Sequence, residues 1–316
     1  MKNGILKFIV TGIVFLTFFV LWDRCIGKCC NLLEKIAIKS GSDVGIVKTG
    51  IICERIDSDV LIFGSSRAYC HYDPRIMEKE FGLSVFNCGM DGSGFLYQTA
   101  LIRNLLNRYS PKILIWNLEP DDLREHHSDS KISQLNSYYD SNTYIHDLIN
   151  LRSKFEKYKM HSMLYRHNGF LMEYISSFFQ KADQLKGYRP RHNTGRFPTK
   201  GKRNEKADDC SSDSIEKFVY ILQSCSETKI STVIAFSPSF TDDNALETLQ
   251  CKKLREIANE FNVPIIDFYH HPDFMSDSSL FLDERHLNDN GAKLFTERFC
   301  EELEKLEILK SAQTNN

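Results

Sequence analysis

The sequence lacks an excess of charge of either sign, cysteine pairs of the Cys-x-x-Cys type, and any internal repeat. Its 40 Lys and Arg residues nearly balance 42 Asp and Glu residues, so the net charge gives no reason to expect a nucleic-acid partner. The ten cysteines are irregularly spaced, unlike those of a zinc site or of the disulfide framework of a small secreted domain. Most of them are expected to be small buried hydrophobic residues.

The amino-terminal segment, by contrast, is rich in apolar residues. From Ile5 to Trp22 the only charged residue is Lys7, and as a helix this run extends over ~27 Å, enough to cross a bilayer core. The residues that follow, Asp23-Arg24-Cys25, contain no small-residue cleavage site, and no lipobox precedes the cysteine. The sequence therefore predicts an uncleaved, single-span membrane anchor.

The charges that flank this anchor leave its orientation open. Lys2 and Lys7 lie before and close to the amino end of the apolar run, and four basic residues follow the run: Arg24, Lys28, Lys35 and Lys39. Counted literally, the positive-inside rule slightly favours a cytoplasmic carboxyl-terminal domain, but long domains can override that bias.

Beyond the anchor, short apolar runs alternate with segments of helical periodicity. The predicted strands are Asp59–Phe63, Ser84–Asn87, Ile113–Leu118, Thr232–Phe236 and Pro264–Asp267. The predicted helices run from about Asp73 to Phe81, Phe95 to Tyr109, Ser214 to Thr228, Asp243 to Asn262 and Asn288 to Leu309. Strands separated by helices form right-handed crossovers and a parallel sheet. We therefore predict an α/β fold, a three-layer α/β/α sandwich with a parallel sheet of about five strands, preceded by one transmembrane helix.

The pattern divides the chain into an anchor (residues 1–30), a connector (31–58), the α/β domain (59–310) and a short tail (311–316). Within the α/β domain, residues 124–208 differ in character. Their first part, to about Leu185, is rich in Tyr, Phe, His and Met at helical spacing and is predicted to be a helical insertion. The stretch Lys186–Lys206 carries eight Lys and Arg residues against one acidic residue and is predicted to be a loop. A solvated loop is the simpler interpretation, and a site for an anionic glycan or a lipid phosphate is the alternative.

Four residues each follow one of the predicted strands: Ser66, Gly89, Asp121 and Ser237. Because parallel strands end at the same edge of a sheet, these residues are expected to cluster there. Asp283 and His286 lie in the loop before the last helix, which can fold over the same edge. A serine hydroxyl is a weak nucleophile that needs a base such as an imidazole, and a carboxylate can orient that imidazole. The arrangement therefore predicts nucleophilic acyl chemistry.

Three sequence blocks resemble those of the SGNH (GDSL-type) hydrolase superfamily, whose fold is flavodoxin-like. They are Gly64-Ser65-Ser66, Asn87-Cys88-Gly89 and Asp283-x-x-His286-Leu287-Asn288-x-x-Gly291-Ala292, and the resemblance covers roughly Val60–Leu123 and Thr232–Leu309. It implies that Ser66 is the nucleophile, His286 the base and Asp283 the partner that orients the base. It also implies that the oxyanion hole takes backbone N–H groups from Gly89 and Ser66.

Two residues depart from the family pattern. Ser65 stands where the family usually has Asp, which leaves Ser65 as an alternative to Ser66 as the reactive hydroxyl. Asp121 stands where the family has an Asn that donates to the oxyanion, and a carboxyl group can donate there only when it is protonated. Asn117 is the alternative amide donor, although a mid-strand residue is expected to face a neighbouring strand.

The resemblance implies a membrane-anchored serine esterase or O-acyltransferase, with acetyl as the expected acyl group. Its substrate would be an acylated carbohydrate of the cell envelope, attacked through an acyl-serine intermediate. The resemblance to membrane-tethered members of this kind implies a multispanning acyltransferase as a partner. It also implies that the catalytic domain lies outside the cytoplasm. The alternatives are a catalytically silent subunit that keeps the fold for binding, which Asp121 favours, and an esterase that faces the cytoplasm.

We expect no metal ion, no cofactor and no nucleic-acid partner. The adjacent histidines His126-His127 and His270-His271 invite a metal site, but neighbours in an extended chain point to opposite faces, so surface loops explain them better. One basic loop without a helix to read bases is poor evidence for nucleic-acid binding.

Overall fold

The computed structural model describes residues 2–125, 129–195, 209–241, 243–306 and 308–309. Two compact units are present: one combines Met1–Gly50 with Ile132–Ala182, and the other combines Ile51–Lys131 with Asp183–Asn316. The predicted tail (311–316), the His126-His127 pair and much of the predicted basic loop (196–206) lie outside the described residues.

Helices and strands alternate along the second unit, whereas the described part of the first unit is helical. The strands are β1 (Val60–Gly64), β2 (Val85–Asn87), β3 (Ile113–Asn117), β4 (Ser231–Phe236) and β5 (Ile265–Asp267). The helices are α1 (Lys2–Ser40), α2 (Gly45–Glu54), α3 (Ser66–His71), α4 (Pro74–Phe81), α5 (Phe95–Leu106), α6 (Thr143–Leu151), α7 (Glu156–Lys159), α8 (Met163–His167), α9 (Leu171–Ser177), α10 (Ser212–Glu227), α11 (Leu249–Glu260), α12 (Pro272–Met275) and α13 (Asp289–Lys305). Short 3-10 segments cover Ser130–Tyr138, Ala245–Glu247 and Ser278–Leu280.

The second unit is built on a parallel β-sheet. Among the described residues its strand order is β2-β1-β3-β4-β5, the flavodoxin-like order of a doubly wound fold. Strand β1 is an interior strand, since Val60 pairs with Val85 on one side and with Ile113 on the other. All five residues of β1 are buried, which explains why this strand reads as an apolar run rather than an alternating one. The five predicted strands are confirmed, each to within one residue at either end.

Helices cover both faces of this sheet. On one face Ile115 packs into a core that includes Phe295 of α13. On the other face Trp116 stacks on Phe95 of α5, with ring centroids 5.6 Å apart, and the ring of Phe218 of α10 also lies 5.6 Å from that of Trp116. The predicted three-layer α/β/α sandwich is therefore confirmed.

Local capping residues set the boundaries of the helices beside the site. Asp73 caps α4, because its side chain accepts from the backbone N–H of Arg75, and Pro74 occupies the first helical position. Gly82 ends the helix with a φ of 66°. Asn288 caps α13, because its side chain accepts from the N–H of Gly291 at 3.0 Å. Both predicted starts are confirmed.

The first unit differs from the predicted division of the chain, because α1 continues unbroken from the apolar run to Ser40. No proline precedes Pro74, and the buried residues Gly27, Cys30 and Glu34 recur at helical spacing in the second half of α1. That buried face packs against α8 and α9. The segment predicted as a connector (31–58) therefore begins inside α1 and includes α2.

Within the described part of the chain, α1 is the helix that is long and apolar enough to cross a membrane, by length and composition alone. Its side chains from Ile5 to Trp22 are exposed on all sides. Membrane spans and signal sequences share these properties. The predicted helical insertion holds α6 to α9 and no strand among its described residues.

Candidate active site

The candidate nucleophile lies where β1 passes into α3. Gly64 has a φ of 152°, and a Cβ atom on it would lie 2.6 Å from the carbonyl oxygen of Asn117, so only glycine fits here. Ser65 is the N-cap of α3, and its Oγ accepts from the backbone N–H of residue 67. Ser66 is the first residue of α3, and its Oγ lies 2.8 Å from Nε2 of His286. Of the two hydroxyls, the one beside the imidazole is that of Ser66.

On its other side, His286 contacts a carboxylate. Its Nδ1 lies 2.9 Å from each carboxylate oxygen of Asp283. Because an ionised carboxylate only accepts hydrogen bonds, this contact places the imidazole proton on Nδ1 and leaves Nε2 free to accept from Ser66. Partial burial raises the pKa of Asp283, but hydrogen bonds from the His286 ring and from backbone N–H groups outweigh it and lower the pKa to about 2. Ser66, His286 and Asp283 thus form a Ser-His-Asp arrangement.

The loop that carries Asp283 and His286 is held by further hydrogen bonds. Oδ1 of Asp283 accepts from the backbone N–H groups of Arg285 at 2.8 Å and of His286 at 3.0 Å. The buried side chain of His71, on α3, accepts at Nε2 from the N–H of Leu287 at 2.9 Å. Burial, with the nearby positive charges, holds the pKa of His71 well below its usual value, so the ring is neutral and can accept.

Two arginines meet at Glu119, just after β3. Nη1 of Arg67 lies 2.9 Å from Oε2 of Glu119, and Nη2 of Arg285 lies 3.1 Å from the same oxygen. The side chain of Arg67 is 1% exposed, whereas that of Arg285 is 51% exposed. Because Arg67 follows Ser66 and Arg285 precedes His286 in the chain, Glu119 links the segments that carry the serine and the histidine.

The two residues predicted to line the oxyanion hole have other partners. The N–H of Gly89 donates to Oδ1 of Asn87 at 2.9 Å, and a Cβ on Gly89 would lie 2.5 Å from the amide nitrogen of Tyr69. The carboxylate of Asp121 accepts from Nη1 of Arg124 at 2.7 Å. The N–H of Gly89 and the carboxylate of Asp121 are therefore both hydrogen-bonded within the protein. The roles of these two residues in an oxyanion hole remain predictions.

Four buried donors near the carboxyl edge of the sheet have no hydrogen-bond partner among the described residues: Arg67 Nε, His71 Nδ1, Asn117 Nδ2 and Ser237 Oγ. Oδ1 of Asn117 accepts from the hydroxyl of Tyr72 at 2.7 Å, which orients the amide. Buried polar groups are rarely left unpaired in folded proteins. These donors are inaccessible from the surface, so a buried water molecule is the acceptor that suits them.

Sequence reasoning did not single out four of these residues: Arg67, His71, Glu119 and Arg285. A signal was available for Arg67 and Glu119, because each is a charged residue that follows a buried strand closely, at the edge where α/β sheets bind ligands. Arg285 lies inside the last sequence block, between the predicted acid and base. The contact made by His71 depends on α3, a helix that no periodicity in the sequence indicates.

In the part of the chain that the structure describes, no group of three or more His, Cys, Asp or Glu side chains is placed to hold a metal ion. His271 caps α12 by accepting from the N–H of Asp273 at 3.3 Å. His270 instead lies 3.7 Å from the carboxylate of Asp243. These neighbouring histidines have separate partners, as expected for an extended pair.

No family model and no curated protein matches the chain. Similar solved structures include a family two carbohydrate esterase from Clostridium thermocellum in complex with cellohexaose, at 12% identity and a TM-score of 0.36, covering 79% of this chain and 65% of that chain. A protein from Desulfitobacterium hafniense, described as lipolytic and of the G-D-S-L family, has 10% identity and a TM-score of 0.37. The match covers 77% of this chain and 98% of that chain. A gut microbial diltiazem-metabolizing enzyme has 12% identity and a TM-score of 0.37 and covers 78% and 46%.

The chain thus spans less than two thirds of the length of the first of these structures and less than half of the third. At these TM-scores the likenesses carry no argument about this chain. What the site can do chemically is therefore inferred from the sheet order, the sequence blocks and the geometry of Ser66, His286 and Asp283.

Proposed function

We propose that this chain is a serine esterase or O-acyltransferase of the SGNH type, in which Ser66 is the nucleophile, His286 the base and Asp283 the residue that orients the base. The observation that carries this proposal is the 2.8 Å separation between Ser66 Oγ and His286 Nε2, with Asp283 bound to the other ring nitrogen. Ser66 and His286 are 220 residues apart in the chain, and the fold brings their side chains together.

The geometry supports a two-step acyl transfer. His286 takes the hydroxyl proton as Ser66 Oγ attacks the carbonyl carbon of an ester, and the resulting imidazolium is stabilised by Asp283. The imidazolium then protonates the departing alkoxide, which leaves an acyl-serine. In the second step His286 deprotonates an incoming hydroxyl, which attacks the acyl group, and the imidazolium returns the proton to Ser66 Oγ as the bond between Ser66 and the acyl group breaks. Water as the attacking molecule gives hydrolysis, and a sugar hydroxyl gives transfer.

The substrate that we propose is a carbohydrate ester, as the SGNH resemblance implies. The half-exposed guanidinium of Arg285 suits a polar, hydroxyl-rich molecule. A short acyl group such as acetyl needs little apolar surface. Mass spectrometry of the glycan after incubation with an acetyl donor separates transfer, which adds acetyl groups, from hydrolysis, which removes them.

We further propose that α1 crosses the membrane through Ile5–Trp22, with the catalytic unit outside the cytoplasm and a multispanning acyltransferase as its partner. The exposed apolar surface of α1 supports the span. The continuation of α1 into the packed part of the first unit argues against its removal as a signal sequence. A reporter fused to the carboxyl terminus tests the side: alkaline phosphatase activity supports the external location, and activity of a cytoplasmic reporter overturns it.

A second candidate function is a catalytically silent subunit that keeps the fold to bind acylated polysaccharide. The observation that favours it is that the N–H of Gly89 donates to Asn87 and that the carboxylate of Asp121 accepts from Arg124, so neither group is placed to donate to an oxyanion. Binding without turnover would then be expected.

Hydrolysis of para-nitrophenyl acetate by the full chain in detergent distinguishes the two functions. We expect slow turnover that is abolished in Ser66→Ala and His286→Ala, with circular dichroism unchanged. Ser65→Ala is the matched control, because it removes the neighbouring hydroxyl and a helix cap but not the contact with His286. Turnover in Ser66→Ala equal to that of the parent would overturn the enzymatic function.

A further inference from the structure

The first unit exposes a group of basic and aromatic side chains far from Ser66 in the sequence. This group, here called the basic–aromatic surface, comprises Arg152, Lys154, Phe155, Lys157, Tyr158 and Lys159, at and just before α7. Phe155 is 54% exposed and Tyr158 is 63% exposed. The ammonium groups of Lys154 and Lys157 lie 5.1 Å and 4.9 Å from the ring centroids of Phe155 and Tyr158. Clustered exposed aromatic side chains mark interaction surfaces in proteins.

The charge of this surface is positive. Within residues 152–159 the one acidic residue is Glu156, which is buried and lies 2.9 Å from Lys159 and 3.9 Å from Arg152. Among the described residues, neither Lys154 nor Lys157 forms an ion pair with a carboxylate. The side chains that face solvent are therefore two unpaired ammonium groups and two aromatic rings, which complement a partner with negative charge above an apolar layer.

This surface lies beside the point where the exposed apolar part of α1 ends. Asp23, the first residue after the Ile5–Trp22 run, accepts from the backbone N–H of Met163 at 2.9 Å and so caps α8. Helix α8 also packs directly on α1, because a Cβ on Gly27 would lie 2.2 Å from Cβ of Met163. Helix α7 ends only four residues before Met163, so it is held close to the same junction.

We propose that the basic–aromatic surface docks on the interface of a bilayer that carries anionic headgroups, next to the α1 span. The proposal rests on α1 crossing the membrane, which is part of the proposed function, and not on the acyl chemistry. A span that ends at Trp22 places the membrane surface at the level of Asp23, which contacts the start of α8, shortly after the basic–aromatic surface in the chain. Tyr and Trp are enriched at that level, and Lys and Arg are attracted there by anionic lipids. With two contacts to the bilayer, the first unit would be held at a fixed orientation.

The same unit offers a matched control position, Phe179, which is 85% exposed. The next residue, Gln180, accepts from the hydroxyl of Ser42 at 3.1 Å, just beyond the carboxyl end of α1. From Asp23 to the end of α1 at Ser40 the helix rises ~26 Å, so Phe179 lies far from the proposed membrane surface.

The test uses the full chain in lipid nanodiscs, with tryptophan fluorescence quenched by lipids brominated near the headgroup. In the unaltered chain, Trp22 reports insertion of α1, while Trp116 is a constant background because it is buried in the sheet. Tyr158→Trp and Phe179→Trp are then compared in a Trp22→Phe background. Each variant is measured in phosphatidylcholine with and without phosphatidylglycerol.

We expect Tyr158→Trp to be quenched in discs that contain phosphatidylglycerol, and Phe179→Trp to remain unquenched in all discs. Replacing Lys154 and Lys157 with Gln should lower the equilibrium constant for docking about fivefold for each lysine. Equal quenching of the two tryptophan variants, with Trp22 quenched in the unaltered chain, would overturn the docking proposal alone. An unquenched Trp22 would overturn both the span and the docking, and neither result bears on the esterase assay.

Discussion

Replacing Glu119 with Gln removes the charge that joins the two arginines while preserving the shape of the side chain. Arg67 would then keep its buried guanidinium without its 2.9 Å counter-charge. Removing one partner of a buried ion pair costs about 3–5 kcal/mol of unfolding free energy. We expect the lower end, about 3 kcal/mol, because loss of the Glu119 charge makes it easier for Asp122, whose pKa that charge helps to raise, to ionise nearby.

For a unit of this size, about 3 kcal/mol lowers the melting temperature by roughly 6–12 °C. Fluorescence of Trp116, in the sheet of the second unit, follows the unfolding of this unit in a Trp22→Phe background. The matched control is Arg285→Gln, which removes the exposed arm of the same contact and should cost no more than about 1 kcal/mol. Equal costs for Glu119→Gln and Arg285→Gln would refute the argument that the buried pair dominates.

Three further changes test the electrostatics and the backbone of the site. Burial, reinforced by neighbouring carboxylates, raises the pKa of Asp122 to about 8. Between about pH 4 and 8 the folded state therefore holds a proton that the unfolded state has lost, so the free energy of unfolding falls as pH rises. Asp122→Asn should remove that slope in pH-dependent unfolding and stabilise the protein most at pH 8; an unchanged slope contradicts the assignment. Because the pKa of Asp283 is about 2, a loss of esterase activity between pH 4 and 7 should not arise from protonation of Asp283. Asp283→Asn should lower kcat by about 10⁴-fold, because the amide would hold His286 in the wrong tautomer. Gly64→Ala should lose more than about 1 kcal/mol in chemical unfolding, because a Cβ would meet the backbone of Asn117; a neutral effect would refute the required geometry.

The sheet could be predicted from sequence because each strand is a short apolar run bounded by polar or glycine residues. Val60–Gly64 is buried on both faces and therefore reads as a short continuous apolar run, whose length and flanking turn residues indicate a strand. The meeting of Ser66 with Asp283 and His286 could be anticipated from topology, since parallel strands end at one edge. The hydrogen bonds themselves required coordinates.

Other features could not be predicted because they depend on contacts between distant residues. The Arg67–Glu119 pair joins residues on separate βα connections, and the capping of α8 by Asp23 joins the first helix to the insertion. Helix α3, with the sequence SRAYCH, is too short to show a helical period. The engagement of Gly89 by Asn87 is local, but it is a side-chain contact that the spacing of residues does not reveal.

The central claim is that Ser66 is a nucleophile activated by His286. Labelling of the full chain with a fluorophosphonate, followed by peptide mass spectrometry, tests this claim most directly. We predict a single adduct on Ser66 that is lost in His286→Ala and kept in Ser65→Ala. A folded protein that forms no adduct, or that carries the adduct on Ser65, would contradict the account.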